Sequence, residues 1–309
     1  MTPTIVDCTL RDGGNQNDWN FSHDDIQTIV RMLDEAGVDV IEVGYCGGSG
    51  SRGLEGTGPA ARCDLDYLGT LPTVSHSRLA VMVVPTVCSL SGMSHLASSP
   101  VSMVRVASYP WNIALVPSYV SFARSLGLSV SVNIMAASYI TENELTEIAR
   151  LLVAEVPDVI FLADSFGAMN PDGVRRCVSV LIQEVPVPLG LHVHNNMGLA
   201  SANVVSGLEV GVSWIDTSLA SMARGAGNLA TEQAVAFLST WPRFTTHASV
   251  ALVCEAADYV ARQVLPHPMV IGRPEIAAGV NNYHYYFHDP MLRYSQSEDT
   301  SGRSWRRPE

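Results

Sequence analysis

The chain has 309 residues, 47% hydrophobic and 16% charged, with a formal net charge of −12. That is enough apolar material for one large α/β domain, but the acidic balance excludes a nucleic-acid partner and no apolar run is long enough to span a bilayer. All 18 basic residues are arginine, which also excludes Schiff-base chemistry, an internal PLP aldimine and a Walker-type phosphate loop, since each needs a lysine.

The first β-rich run, TIVDCTL (4–10), leads into Arg11, Asp12 and two glycines. That pair suits either an ion pair closing a loop or an anion clamp beside a metal ligand. Ser22 and Asp25 form a capping-box pattern ahead of Ile26, Ile29, Val30 and Leu33, with Gly37 beyond the helix end. VIEVGY (40–45) is the second strand, and the glycine-rich stretch after it (46–63) is either a mobile surface loop or a substrate lid. AVMVVP (80–85), MVRVAS (103–108) and SVSVNI (129–134) follow as strands. Thr141 and Glu144 repeat the capping device before Leu145, Ile148 and Leu152. After VIFLAD (159–164), Asn170–Pro171 supplies a cap and a first-turn proline, and LGLHVH (189–194) and WIDTSL (214–219) complete eight strands.

Nearly continuous apolar runs are those of parallel strands buried on both faces. Alternating with helices, they predict a (β/α)8 TIM barrel over residues 1–240, with a doubly wound sheet as the alternative. A C-terminal helical and aromatic extension (241–294) is expected next, with a helix near 249–264 and the cluster NNYHYYFHDP at 281–290. A polar tail over 295–309 is expected to be disordered. The six scattered cysteines include no CxxC pair, so they are expected to be reduced and without a metal. The start of the chain lacks a basic-then-apolar leader, and a cytoplasmic location is expected.

Polar residues at the C-terminal ends of barrel strands are active-site candidates. Asp12, Glu42, Asn133, Asp164, His192, His194 and Asp216 fall there. In HVHNN (192–196) the two histidines are two apart on a strand and face one point. Such pairs also occur in ordinary hydrogen-bond networks, so a metal site needs a carboxylate, which Asp12 on a neighbouring strand supplies. DTSLASMARGAGN (216–228) brings the amide of Asn228 beside them as a fourth ligand or a prop, though Gly225 and Gly227 fit a tight turn equally well. A nitrogen and oxygen donor set suits Mn2+ or Mg2+, with Zn2+ as the alternative. One carboxylate leaves the site positive, able to hold a 2-oxo acid and stabilise its enolate, and Arg11 adds a donor fork for the oxyanion.

DCTLRDGG, HVHNN and DTSLASMARGAGN together resemble the metal-dependent DRE-TIM aldolase and lyase superfamily over about residues 4–235. That group holds 4-hydroxy-2-oxovalerate aldolases, hydroxymethylglutaryl-CoA lyases, and isopropylmalate and homocitrate synthases. The resemblance implies Asp12, His192 and His194 as metal ligands, with Asn228 added in some branches. It implies Arg11 as the enolate-stabilising arginine; the glycines after Asp12 are read from the sequence as room for substrate. Glu42 matches a glutamate of the acyl-CoA-using branch, and its bland role is pairing with Arg11. The 216–228 stretch is most similar to the pyruvate-aldolase version and lacks the cysteine that hydroxymethylglutaryl-CoA lyases carry there. Asn15 stands where the aldolases keep a histidine base, so the proton shuttle is expected to be missing or relocated, with Tyr283 or His284 as candidates and direct exchange by a metal-bound water or the substrate alkoxide as the alternative.

The expected activity is a metal-dependent aldolase joining a pyruvate-type enolate to an aldehyde, or cleaving the resulting 4-hydroxy-2-oxo acid. Acyl-CoA-dependent Claisen condensation of a 2-oxo acid is the rival enzyme, and a non-catalytic metal-binding barrel is the rival of another class. Expected partners are the small 2-oxo acid and aldehyde, an aldehyde dehydrogenase as in some aldolases of the group, and further copies of the chain in a homo-oligomer.

Overall fold

The computed structural model describes residues 1–50 and 54–283. Eight parallel strands close into one barrel in sequence order. They are β1 (Thr4–Asp7), β2 (Val40–Cys46), β3 (Arg78–Val83) and β4 (Met103–Ser108). Then come β5 (Ser129–Ile134), β6 (Val159–Asp164), β7 (Leu189–Val193) and β8 (Trp214–Thr217). Val6 pairs with Val40 on one side and Asp216 on the other, which seals first strand to last. The barrel is therefore closed, and the doubly wound sheet is ruled out.

The helices begin where the sequence signals them. Helix α1 (His23–Glu35) opens on a reciprocal box between Ser22 and Asp25. Short α2 (Leu65–Gly69) and α3 (Val116–Ser125) follow, and α4 (Glu142–Val153) opens on the Thr141–Glu144 box. Asn170 caps α5 (Pro171–Glu184) by accepting from the Gly173 N–H, and α6 (Ala200–Glu209) and α7 (Thr231–Thr240) complete the ring. Their apolar stripes face the strands, as Val174, Val178 and Leu181 of α5 do.

Regularity lapses between β3 and β4, where the helix is replaced by tight 3-10 turns over Ser91–Ser98. Prolines, serines and glycine punctuate that segment and leave no 3.6-residue apolar period. The first strand also stops earlier than its apolar run. The N–H groups of Arg11, Asp12 and Gly13 all turn back to the Cys8 carbonyl at 3.1, 2.7 and 3.4 Å. Arg11 and Asp12 thus stand on a turn above β1.

Helix α8 (Val250–Tyr259) continues into a π turn over Val260–Val264 and packs against α1 and α7. Helix α9 (Arg273–Asn281) crosses to the C-terminal face of the barrel. There Asn196 donates to the Glu275 carbonyl at 2.8 Å, and Ser138 donates to Asn282 at 2.6 Å.

Inside the barrel, period-2 alternation puts Val6, Cys8, Val40, Ala80, Met103, Val159 and Phe161 in one apolar plug. Gly190 has no side chain because the Phe161 ring occupies the space a Cβ would need. The same alternation points Glu42, Arg105, His192 and Asp216 inward above that plug, and all four are buried.

Candidate metal centre and its buried charge network

The turn above β1 is braced from below and from the side. Buried Trp19 donates its indole N–H to the Arg11 carbonyl at 2.7 Å. Asn15 donates its amide to the Asp12 carbonyl at 2.9 Å and to Oδ1 at 3.3 Å. The glycines that follow Asp12 do not leave room for substrate, contrary to the sequence reading. A Cβ on Gly14 would overlap the Trp19 ring, and one on Gly13 would lie 2.9 Å from the Met222 carbonyl oxygen. They let the turn pack against protein.

Asp12, His192 and His194 come together here, each buried, with one donor atom apiece within 4.8 Å of the others. Asp12 Oδ2 lies 3.6 Å from His192 Nε2 and 3.8 Å from His194 Nε2, beyond hydrogen-bond length. Asn228 donates its amide N–H to Asp12 Oδ2 at 3.0 Å, while its own Oδ1 is buried with no hydrogen-bond partner. An orphaned buried oxygen is costly unless something electropositive meets it. Three oxygen and nitrogen donors beside that oxygen fit a hard or borderline divalent cation.

Burial would raise the Asp12 carboxyl, but neighbouring positive charge, the Arg11 guanidinium foremost, holds it well below the usual carboxylate range. His194 is pushed well below its ordinary value by burial and then by Arg224, so its ring is neutral with a lone pair to offer. Cys8, His192 and Asp216 form a second cluster of the right size. It is a poorer site. Both Asp216 oxygens already accept from Arg105, and burial pushes the Cys8 thiol far up, away from the thiolate a metal needs.

A chain of charges runs beneath the cluster. Arg11 Nε donates to Glu42 Oε2 at 2.7 Å, and Arg105 Nη1 donates to the same oxygen at 3.0 Å. Arg105 Nη2 reaches Asp216 Oδ1 and Oδ2 at 2.8 and 2.7 Å, and Asp216 Oδ2 accepts a hydrogen bond from His192 Nδ1–H at 3.0 Å. Burial opposes ionisation of Asp216, yet Arg105 and His192 keep its carboxyl below the ordinary value. That contact sets the His192 tautomer and turns Nε2 toward Asp12, as outer partners of ligating histidines do. The Arg105 guanidinium also lies over Phe161, 4.5 Å from the ring centre.

Sequence reasoning passed over Arg105, although a lone arginine in the apolar run MVRVAS is a buried-charge signal. Trp19 and Tyr45 were also missed. The Tyr45 hydroxyl is 3.5 Å from Arg11 Nη1, and burial pushes its pKa up to about 12.

The other predicted residues divide. Asn133 is buried at the end of β5, its amide oxygen accepting from Ser131. Asp164 does not join the cluster. It caps the turn after β6 by accepting from the Ala168 and Met169 N–H groups, and burial raises its pKa to about 6. Tyr283 lines a hollow beside the cluster with Ser165, Phe166, His194, Asn196 and Arg224. His284, most of the 281–290 cluster and the 295–309 tail lie outside the described residues. So do residues 51–53 of the glycine-rich loop. Its later part is held, with the Gly58 N–H on the Asp18 carbonyl at 2.9 Å. All six cysteines are free thiols. Among the described residues no helix is long and apolar enough to cross a membrane.

A family model described as HMGL-like matches residues 2–260. The 4-hydroxy-2-oxovalerate aldolase of Thermomicrobium roseum is 30% identical over 278 residues, covering 90% of this chain and 78% of its own. The enzyme of the same name from Geobacillus genomosp. 3 is 29% identical over 284 residues, covering 92% and 84%. Among solved structures, the N-terminal domain of a candidate aldolase from Bacteroides vulgatus superposes with TM-score 0.83 at 24% identity, covering 94% of this chain and 97% of that one. An HMG-CoA lyase from Bacillus subtilis does so with TM-score 0.76 at 19% identity, covering 89% and 97%. These last two likenesses concern the barrel fold.

Proposed function

Because the chain belongs to the HMGL-like family, we propose that it works as a divalent-metal-dependent aldolase on a pyruvate-type 2-oxo acid and an aldehyde. It is an enzyme of the lyase class, as its aldolase relatives are. The observation that carries the reading is the meeting of Asp12, His192 and His194 directly beside Arg11, with the Asn228 amide donating to Asp12 and its oxygen left without a partner. Asp12, His192, His194 and Asn228 would hold the cation, which would supply Lewis acidity toward the keto group of the 2-oxo acid. The donor set favours Mn2+ or Mg2+ over the thiolate-loving metals.

The chain's own groups do the rest. Glu42 fixes the Arg11 guanidinium through Nε and Asp12 holds it at Nη1, and Nη2 is the group proposed to meet the oxyanion of the enolate. Forming the new bond removes a methyl proton from the 2-oxo acid, joins that carbon to the aldehyde carbon, and returns a proton to the aldehyde oxygen. Asn15 cannot carry that proton. Tyr283, lining the hollow next to His194, is the proposed acid or orienting group. Glu42 has the role of a positioning residue here, since one of its oxygens is shared by two arginines. The Claisen reading is the weaker one, because the relatives found are 4-hydroxy-2-oxovalerate aldolases. A cytoplasmic location, a homo-oligomer and a dehydrogenase partner for the aldehyde belong to the same proposal.

The test is direct. Protein stripped of metal and reloaded with Mn2+ is expected to form a 4-hydroxy-2-oxo acid from pyruvate and an aldehyde. Release of free thiol from acetyl-CoA with 2-oxo acids, and no aldol product, would overturn the reading.

A further inference from the structure

The end of β2 is irregular where it passes Arg11. Glu42 pairs with Ala80 and Tyr45 with Met82, so three steps along β2 match two along β3. In a regular strand, residues three apart face opposite sides of the sheet. Glu42 and Tyr45 nevertheless reach the same guanidinium, Glu42 at Nε and Tyr45 at Nη1. The extra residue is a β-bulge, a device that re-aims a side chain. It is built on Gly44, which has φ +150° and where a Cβ would overlap the Ala60 carbonyl oxygen.

The re-aimed phenol is closely held. Tyr45 is 8% exposed, and its ring meets Trp19 edge to face with centroids 5.8 Å apart. Trp19 also holds the Arg11 carbonyl, so one indole braces both side chains. The Tyr45 hydroxyl accepts from Arg11 Nη1 at 3.5 Å, a long contact that engages its oxygen and not its proton. Among the described residues no group accepts that proton. A buried phenol O–H ordinarily has an acceptor. Here the bulge places one beside the arginine of the candidate site, and burial, by pushing its pKa up to about 12, keeps it a neutral donor.

We propose that Tyr45 is a second donor to the 2-oxo acid, its hydroxyl joining Arg11 at the keto oxygen as that oxygen gains charge in the enolate. This rests on the aldolase reading and assigns a further residue to its proton-removal step. No covalent bond changes at Tyr45. The methyl proton leaves the 2-oxo acid for solvent, the electron pair it leaves behind moves charge to the keto oxygen, and the phenol keeps its own proton. A fixed donor of this kind favours the enolate over the neutral ketone, so it acts on kcat more than on binding of the 2-oxo acid.

Tyr45→Phe keeps the ring against Trp19 and removes the hydroxyl alone. In the Mn2+-loaded full chain, exchange of pyruvate methyl protons in D2O is expected to lose about a hundredfold in kcat, the scale of one oxyanion donor, with KM for pyruvate little changed. Oxalate, a planar mimic of the enolate, is expected to bind Y45F about tenfold or more weakly by calorimetry, the scale of one hydrogen bond to a charged group. Mn2+ alone is expected to bind Y45F as it binds wild type. Replacing Tyr45 by 3-fluorotyrosine separates donation to substrate from a role limited to holding Arg11, because the fluorinated phenol is the stronger donor and the weaker acceptor. Tighter oxalate binding than in wild type is expected, and equal or weaker binding would overturn the proposal. Unaltered exchange, unaltered oxalate affinity or loss of Mn2+ binding in Y45F would each overturn it as well. Exchange by wild type with an unaltered Y45F sinks the Tyr45 inference alone, and no exchange by wild type sinks the aldolase reading and this inference with it.

Discussion

Asp12→Asn is expected to cut aldol turnover by about a thousandfold or more and to weaken Mn2+ binding by at least about a hundredfold. Asp12 is the one carboxylate among the proposed ligands, so the change removes the negative charge facing the cation and keeps the shape. The fold should survive. The backbone N–H of Asp12 still reaches the Cys8 carbonyl at 2.7 Å, the new amide oxygen can take the Oδ2 place to which Asn228 donates, and Asn15 keeps the backbone carbonyl of residue 12 at 2.9 Å. The check is isothermal titration with Mn2+ beside steady-state rates, with circular dichroism as the control. Full metal affinity in a folded Asp12→Asn protein would place the cation elsewhere, the Cys8 cluster being the next candidate.

Arg105→Met is expected to act first on stability. Glu42 and Asp216 are fully buried, and Arg105 is the cation they share. Removing one partner of a buried ionic network costs about 3–5 kcal/mol, because the remaining charges stay desolvated without compensation. For a chain of this size that corresponds to a fall in Tm of roughly 6–20 °C, readable by calorimetry. Adding Asp216→Asn to the variant should restore part of the loss, since Glu42 keeps Arg11 at 2.7 Å and Asp216 is the carboxylate left without its arginine. A double-mutant cycle measures that coupling. The pair also reports on the centre, because Asp216 would lose the arginine that keeps it ionised under His192.

Much of this architecture was readable in the linear sequence. Parallel strands inside a barrel are apolar on both faces, so VIFLAD and SVSVNI declared themselves, and the boxes at Ser22 and Thr141 marked helix starts that the structure reproduces. The histidine pair was legible for a similar reason, since two residues apart on a strand is a statement about one face. Contacts across the barrel were not legible. Arg105 is 63 residues from Glu42 and 111 from Asp216, and only closure of the sheet shows that the three point at one another. The glycines after Asp12 misled because a missing side chain signals close approach without saying what approaches. Here it is Trp19 and Met222. Likewise, Tyr283 reaches the hollow because α9 crosses the barrel mouth, a tertiary placement with no local pattern.

The central claim is that a cation held by Asp12, His192, His194 and Asn228 allows pyruvate to lose a methyl proton. The most direct measurement is proton NMR of pyruvate in D2O, with the protein first chelated and then reloaded with Mn2+, the paramagnetic ion being removed before the spectra are read. Loss of the methyl signal is predicted with reloaded protein, and no loss above the protein-free rate with chelated protein or with Asp12→Asn. Equal exchange by chelated and reloaded protein would contradict the account.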